Sequence, residues 1–142
     1  MTAKRKVMFL CTGNSARSQM AEGLARHLLG DRWEVYSAGV TPKGVHPLAI
    51  RALQEVGVDI SGQRSKPIDP ELLNSMDLVV TLCDEAAEAC PVTPQHVARL
   101  HWSNPDPAAV EGDEEERLAA FRQVREALRG RILVELGDSA AC

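Results

Sequence analysis

The sequence predicts an α/β fold in which a four-stranded parallel sheet lies between layers of helices, a three-layer arrangement. Two short segments, Val7 to Leu10 and Asp77 to Leu82, are wholly or largely apolar, which is typical of strands buried on both faces. Helical patterns follow both runs, and strands that alternate with helices form parallel units with right-handed crossovers. A chain of 142 residues suits one such core, so we expect residues 1–142 to form a single domain.

The first half of the chain provides two strands and two helices. Apolar side chains recur at helical spacing from Ala16 to Leu29, which predicts the first helix. Trp33 to Ala38 alternates between apolar and polar residues and is the second strand. His46-Pro47 begins a helix with proline in its favoured first position, and this helix is expected to run to about Val56.

The second half alternates in the same way. Asp69-Pro70 opens a short helix through Leu73, ahead of the strand that ends at Leu82. Asp84 to Ala89 is a short helix, and Val97 to Trp102 is the fourth strand. The charged run Glu111 to Arg117 leads into a final amphipathic helix that reaches about Leu136.

Composition excludes several classes of function. A net charge of -4 gives no support to nucleic-acid binding as the main task. The apolar run near the N-terminus is too short for a signal peptide or a membrane span, so we expect a cytoplasmic protein that binds no membrane. Four cysteines in such a chain are expected to be reactive rather than paired, and without a C-x-x-C pair they predict no zinc site. Nothing in the sequence predicts more than a monomer.

The loop between the first strand and the first helix carries the most specific chemistry. Gly13 permits positive φ and Asn14 tolerates it, so that successive N–H groups can turn inward as a nest for an oxyanion. The following helix adds the positive end of its dipole. Arg17 can return its planar guanidinium over the loop and contact two anion oxygens at once. The predicted oxyanion-binding residues are Thr12, Gly13, Asn14, Ser15, Ala16, Arg17 and Ser18.

Cys11 ends the first strand and faces this loop. A helix N-terminus with a neighbouring cation lowers the pKa of a free cysteine from about 8.5 by one to several units. Ser18 can donate a hydrogen bond to the Cys11 sulfur, which favours the thiolate further. The arrangement predicts a nucleophile aimed at the centre of a tetrahedral dianion. The alternative, a buried cysteine beside an ordinary surface arginine, is disfavoured because strand, loop and helix together form the setting that the motif requires.

The segment CTGNSARS resembles the phosphate-binding loop of low-molecular-weight protein tyrosine phosphatases and of the arsenate reductases that share their fold. The resemblance extends through SAGV, ALQEVGVDIS, DLVVTLC and HWSNPDPA to FRQVREAL, nearly the whole chain. It implies that Asp106, in NPDPA, is the acid that protonates the departing oxygen. Taken alone, an aspartate before proline is more simply a turn former.

Cys83 and Cys90 distinguish the two activities of these enzymes. A phosphatase needs only Cys11, because water hydrolyses the phosphocysteine, whereas a reduction needs electrons that two further thiols supply by exchange. In the segment TLCDEAAEACP, Cys83 and Cys90 resemble the resolving cysteines of thioredoxin-coupled arsenate reductases. The resemblance implies that Cys11 attacks arsenate, that Cys83 then pairs with Cys11, and that Cys90 moves the disulfide to itself and Cys83 for reduction by thioredoxin. It implies no cofactor within the chain.

The spacing of these two cysteines has a mechanical consequence. Seven residues span about 10.5 Å along a helix, whereas a disulfide needs Cα atoms within roughly 4.4 to 6.8 Å. We therefore expect oxidation to melt the helix from Asp84 to Ala89 and to expose the new disulfide to an external reductant.

Two alternatives stay open, and one further site is implied. A phosphatase acting on phosphotyrosine or small phosphoesters would use the same loop, although one Tyr, two Phe and two Trp provide little for an aromatic pocket. Phosphate and sulfate are expected to bind as mimics of arsenate under either interpretation. A module that only binds oxyanions would need neither resolving cysteine.

Some members of the family bind potassium through residues that match Asn14, Glu22 and Ser37. Lys66 aligns with an acidic ligand of that ion. The ammonium group of Lys66 is therefore expected to replace the ion by pairing with Glu22. Cys142 has no role that the resemblance assigns.

Overall fold

The computed structural model describes residues 4–90 and 92–137, so Cys142 and the end of the chain lie outside the described residues. Within this range the strands are β1 (Arg5–Cys11), β2 (Trp33–Gly39), β3 (Leu78–Thr81) and β4 (Ala98–His101). The α-helices are α1 (Arg17–Leu29), α2 (Pro47–Gln54), α3 (Pro70–Asn74), α4 (Asp84–Ala89) and α5 (Glu114–Arg131). A 3-10 turn (Pro107–Ala109) follows β4, and a π-helical segment (Ile132–Gly137) follows α5. None of the described helices is long and apolar enough to cross a membrane.

The four strands form one parallel sheet in the order β2-β1-β3-β4. The four-stranded parallel sheet predicted from the sequence is therefore confirmed. The chain leaves β1 in one direction to form β2 and then crosses back to form β3 on the other side of β1. Strand order thus reverses between β1 and β3, and ligands of open α/β sheets bind beyond the carboxyl ends of the strands at such a point.

Helices flank the sheet because most of β1 and all of β3 are buried. Every residue from Val7 to Cys11 and from Leu78 to Thr81 is buried, whereas the edge strand β4 is largely exposed. Right-handed crossovers that run in opposite directions place α1 and α4 on opposite faces. Helix α1 packs on α2 and α5, and α4 contacts β1 and β3. The largest fully buried side chains include Phe9, Met20, Leu24, Met76, Trp102 and Phe121.

The observed boundaries differ from the predicted ones by a few residues at element ends. The first helix begins at Arg17 rather than Ala16, and α2 ends at Gln54 rather than near Val56. The earlier end of α2 follows from Gly57, whose φ of 80° is left-handed and cannot continue a helix. Helix α5 begins at Glu114, within the charged run. Asp113 caps this helix by accepting a hydrogen bond from the N–H of Glu116 at 2.8 Å.

Candidate active site

The loop after β1 has its one left-handed residue at Asn14, with a φ of 44°. Gly13, at which the sequence permits positive φ, does not adopt it, and a Cβ there would lie 3.3 Å from Cδ of the Lys43 side chain. Asn14 is held in its strained conformation by its side chain, whose Nδ2 donates to Oγ of Ser18 (2.7 Å) and of Ser37 (2.9 Å). A buried amide with both donors satisfied thus fixes the shape of the loop.

The carbonyl groups of this loop are bound by the chain that follows β2. The N–H groups of Thr41 and Lys43 donate to the carbonyls of Thr12 (2.8 Å) and Gly13 (2.9 Å). Because the C=O and N–H of one peptide point in opposite directions, these bonds favour the inward turn of the loop N–H groups. Gly39 permits the close approach, since a Cβ there would lie 2.6 Å from the backbone nitrogen of Asn14.

Cys11 is buried at the end of β1, with its Sγ 2.8 Å from Oγ of Ser18. The Ser18 oxygen already accepts a hydrogen bond from Nδ2 of Asn14, so its own proton is available to the sulfur. A hydrogen bond donated to sulfur stabilises the thiolate. The geometry therefore matches the nucleophile that the sequence predicts.

Arg17 begins α1 and lies beside the loop, with only 9% of its surface exposed. Its Nη1 donates to the carbonyl of Asn104 at 3.1 Å, which ties the guanidinium to the chain after β4. The remaining N–H groups of the planar guanidinium can meet two oxygens of an anion.

A cavity of about 650 Å³ opens at the carboxyl ends of β1 and β3. Its lining brings together four of the five predicted catalytic residues, Cys11, Arg17, Cys83 and Asp106. The rest of the lining is Thr12, Gly13, Ser15, Ala16, Lys43, His46, Glu85 and Ala108. Cys90 is outside it.

Asp106 has the position of a turn former and also that of the candidate acid, the two interpretations that the sequence left open. Its Oδ1 accepts the N–H of Ala108 at 3.0 Å and so caps the 3-10 turn, as a turn former does. The same residue lines the cavity with Cys11, where a carboxyl group can reach a bound oxyanion. Turn formation therefore positions the candidate acid.

Cys83 and Cys90 stand at the two ends of α4. Cys83 is buried at the N-cap, where its Sγ accepts the N–H of Ala86 at 3.4 Å. Cys90 follows the last helical residue and is half-buried; burial raises the pKa of its thiol, and the charge of Arg99 opposes that shift. No disulfide joins the described cysteines, and α4 is intact between these two.

The sequence analysis missed Ala108 and three polar residues of the lining, Lys43, His46 and Glu85. The Nδ1 of His46 accepts the N–H of Leu48 at 3.0 Å. Burial and the charge of Arg117 lower the pKa of His46, and Asp106 opposes them. The pattern His-Pro marked the start of α2, but nothing in the sequence indicated that the ring would face the cavity. Thr12 lies between Glu85 and Cys83. Its Oγ1 is 3.3 Å from Oε2 of Glu85 and 3.2 Å from Sγ of Cys83.

Glu22 forms the centre of a buried polar cluster behind the loop. Its Oε1 lies 3.5 Å from Nζ of Lys66 and its Oε2 2.9 Å from Nη2 of Arg26, while the hydroxyl of Ser37 donates to Oε1. The expected contact between Lys66 and Glu22 is thus present. Among the residues that the structure describes, no cluster of His, Cys, Asp and Glu could hold a metal ion.

Comparisons with known proteins were made for the whole chain. A sequence model of the low molecular weight phosphotyrosine protein phosphatase family matches residues 6–133. The arsenate reductase of Bacillus subtilis is 56% identical over 126 residues, which are 89% of this chain and 91% of that protein. A solved arsenate reductase in the phosphate-binding state is 37% identical with a TM-score of 0.76, covering 94% of this chain and 98% of that one. The thioredoxin-dependent arsenate reductase of Corynebacterium glutamicum is 32% identical with a TM-score of 0.78, covering 97% of this chain and 62% of that one.

Proposed function

The chain belongs to the low molecular weight phosphotyrosine protein phosphatase family, and we propose that within this family it reduces arsenate to arsenite with thioredoxin as the reductant. The observation that carries this proposal is the presence of a second cysteine, Cys83, in the lining of the cavity that holds Cys11. A phosphatase has no use for that thiol. The curated relatives are arsenate reductases, and the C. glutamicum neighbour is thioredoxin-dependent, which supports both the reaction and the partner.

Arsenate binds first, as a tetrahedral dianion of the shape and charge of phosphate. The N–H groups from Thr12 to Ser18 and the positive end of α1 receive its oxygens. The guanidinium of Arg17 contacts two of them and neutralises their charge. Phosphate and sulfate compete for the same groups, in line with the phosphate-bound state of the 37% identical structure.

The first attack forms a bond between Cys11 and arsenic. The Cys11 thiolate, with the Ser18 hydroxyl at 2.8 Å, is aimed at the bound anion from the end of β1. Asp106 donates a proton to the departing oxygen, which leaves as water. Arsenic is still pentavalent at this stage, so this step alone does not reduce it.

The second and third steps carry the electrons. Cys83 attacks the Cys11 sulfur, a Cys11–Cys83 disulfide forms, and the electron pair of the broken sulfur–arsenic bond stays on arsenic, which leaves as arsenite. Cys90 then attacks Cys83 and releases Cys11 as a thiol. Because α4 separates Cys83 from Cys90, this exchange requires α4 to unwind. Thioredoxin reduces the resulting Cys83–Cys90 disulfide.

Phosphatase chemistry is expected as a weak side activity, since the loop binds phosphate and Cys11 can attack it. We further expect the chain to act as a single-domain monomer in the cytoplasm and to contribute to arsenical resistance. These last points rest on the sequence alone and stay predictions.

The experiment that tests the function is arsenate-dependent oxidation of NADPH in the presence of thioredoxin and thioredoxin reductase. We expect many turnovers by the native chain and none beyond the first by Cys90→Ser. Cys142→Ser, the same substitution at a cysteine without an assigned role, is the matched control and should keep native activity. If the native chain released phosphate from aryl phosphates but consumed no NADPH with arsenate, the phosphatase would replace the reductase.

A further inference from the structure

The segment that follows β2 runs alongside the loop of residues 12–18 and is bonded to it through the backbone. The N–H groups of Lys43 and His46 donate to the carbonyls of Gly13 (2.9 Å) and Ser15 (3.0 Å). Both side chains line the cavity that contains Cys11. Lys43 is exposed and His46 is half-buried, so they lie at the open side of this cavity. Their positions are therefore set by the loop that receives the oxyanion.

Lys43 lays its aliphatic chain over Gly13. A Cβ at Gly13 would lie 3.3 Å from Cδ of Lys43, 3.4 Å from its Cγ and 3.6 Å from its Cβ. The ammonium group follows two bonds beyond Cδ, at the edge of the loop. No carboxylate of the described residues forms an ion pair with Lys43. A cation whose stem is packed on the loop, and whose charge no acid neutralises, is available to an anion in the cavity.

His46 offers one hydrogen-bond donor from a fixed ring. Its Nδ1 accepts the N–H of Leu48 at 3.0 Å, so the proton of the neutral ring is on Nε2. The ring also packs against Phe121, with the centroids 4.7 Å apart. Burial, then Arg117, lower the pKa of His46 and Asp106 opposes them, so the ring is neutral at about pH 7. The edge that carries Nε2–H is the one left for a ligand in the cavity.

The direction of the Cys11 attack decides which oxygen of a bound oxyanion faces these two residues. In displacements at a tetrahedral oxyanion, the attacking and departing atoms lie roughly in line. Cys11 is buried at the end of β1, so the departing oxygen points away from its sulfur and toward the open side of the cavity. In arsenate or phosphate this oxygen carries only a charge or a proton. In a phosphoester it carries the organic group.

We propose that Lys43 and His46 determine substrate specificity: the ammonium group and Nε2–H bind the outward oxygen of a free tetrahedral oxyanion, and an ester group on that oxygen prevents both contacts. The inference rests on the proposed function and adds to it the choice of arsenate over phosphoesters. A site that hydrogen-bonds a substrate oxygen rejects an analogue that leaves its donors unpaired. Asp106 keeps its role and protonates the same oxygen as it departs.

General attraction of anions is a different role that the same lysine could have. The charge of Lys43 would then attract every dianion equally, and its loss would weaken the binding of an ester and of a free oxyanion by the same factor. Specificity predicts unequal losses, because only the free oxyanion has an outward oxygen that can accept both hydrogen bonds. The other charged groups of the lining, on Arg17, Glu85 and Asp106, stay in place in the test.

The test compares phosphate with phenyl phosphate, which differ only in the group on one oxygen. Both are titrated by calorimetry at about pH 8, where they are largely dianions. The protein is the full chain with Cys11→Ala, which has no nucleophile and therefore cannot turn either ligand over. Lys43→Gln removes the charge and keeps a polar side chain. His46→Asn keeps an acceptor for the N–H of Leu48 and removes the ring edge that carries Nε2–H.

We expect the dissociation constant of phosphate to rise about fivefold with Lys43→Gln and about threefold with His46→Asn. That of phenyl phosphate should change by less than about 1.5-fold, because the ester makes neither contact. In chains that keep Cys11, kcat/KM for arsenate in the NADPH-coupled assay should fall by the same factors as phosphate binding.

Lys4→Gln and His27→Asn are the matched controls. Lys4 precedes β1, at the end of the strand opposite Cys11, and His27 lies in the last turn of α1. Neither control should change phosphate binding or arsenate turnover.

Two results would overturn the proposal. Equal losses of phosphate and phenyl phosphate would show general attraction, and unchanged constants for both ligands would show that the two side chains do not reach the oxyanion. Absence of arsenate turnover by the native chain would instead contradict the proposed function, while the two dissociation constants would still decide the role of Lys43 and His46.

Discussion

The oxyanion loop (residues 12–18) and the redox segment (residues 83–90) share one cavity but are built in opposite ways. The loop is fixed by buried polar groups: the Asn14 side chain contacts Ser18 and Ser37, and its Oδ1 accepts the backbone N–H of Lys66 at 2.8 Å. The redox segment is a helix of six residues, of which only Ala86 is buried. Asp84, the first residue of this helix, contacts the sheet through its Oδ1, which lies 3.0 Å from Nε2 of the exposed His101.

This contrast follows from what each region has to do. Oxyanion binding requires donors that stay in place, since a displacement of about 1 Å can cost a hundredfold in rate. The proposed transfer of a disulfide from Cys11 to Cys90 would require a helix that opens easily, and a helix this short is not stable without its packing. We therefore expect a rigid and a labile region next to each other.

The largest effect is expected when the rigid region loses its guanidinium. Arg17→Lys keeps the positive charge but removes the planar pair of donors, so kcat/KM for arsenate should fall by about 10²- to 10³-fold, as after the loss of one oxyanion donor elsewhere. The NADPH-coupled assay measures kcat/KM, and thermal melting measures the stability of the folded chain. Arg51→Lys, at an exposed arginine paired with Glu114, is the control and should keep native activity. A decrease in activity of less than threefold at Arg17 would contradict its role.

The second effect concerns the labile region after oxidation. One turnover with arsenate in the absence of thioredoxin should form the Cys83–Cys90 disulfide and unwind α4, because the intact helix holds the two cysteines too far apart. We expect limited proteolysis within the redox segment to become at least about tenfold faster, while cleavage of the oxyanion loop does not change. Peptide mapping by mass spectrometry locates the cuts.

Cys90→Ser is the control for this experiment, since it stops at the Cys11–Cys83 disulfide and should keep α4 closed. Equal cleavage of the oxidised and reduced native chain would show that α4 accommodates the disulfide without unwinding. In that case the comparison between a rigid and a labile region would be wrong for the redox segment.

The sequence predicted the position of the redox segment better than the backbone shape of the oxyanion loop. Cys83, α4 and Cys90 are contiguous in the chain. Their spacing alone predicts that an intact helix holds the two cysteines too far apart for a disulfide. The same holds for β1 and β3, because burial on both faces leaves an unbroken apolar run. In the oxyanion loop the sequence allowed positive φ at Gly13 as well as at Asn14 and could not choose between them, and the structure has positive φ at Asn14 only.

What the sequence could not show are contacts between distant segments. Lys43 and His46 reach the cavity from the connection between β2 and α2, and Glu85 reaches it from α4; none has a spacing that differs from that of surface residues. The link from Glu85 through Thr12 to Cys83 depends on the neighbouring positions of β1 and β3 in the sheet. Strand order is a property of the folded chain, so such links appear only with the structure.

A smaller effect is expected at the rim of the rigid region, where His46 titrates. Burial, then Arg117, lower its pKa below the ordinary value of 6.5, so the unfolded chain binds more protons as pH falls below 6.5. Stability contributed by neutral His46 is therefore lost as pH falls through this range. His46→Asn keeps an acceptor for the N–H of Leu48 but does not titrate. Between pH 7.5 and 5.5 the native Tm should fall on the order of 2 °C more than that of the variant, and parallel curves would contradict the assignment.

The smallest effect is expected from potassium, because the carboxylate of Glu22, behind the oxyanion loop, already contacts two cationic side chains. The carboxylate of Glu22 is only 5% exposed and has Nζ of Lys66 at 3.5 Å and Nη2 of Arg26 at 2.9 Å, so a further cation at this place is repelled. Replacing NaCl by KCl at constant ionic strength should change kcat/KM by less than about twofold. With Lys66→Gln the carboxylate loses one partner and a response specific to potassium should emerge, whereas Lys4→Gln, on the far N-terminal segment, should give none. A strong rise with potassium in the native chain would mean that Lys66 does not replace the ion, and that the rigid region is completed by a cation from solution.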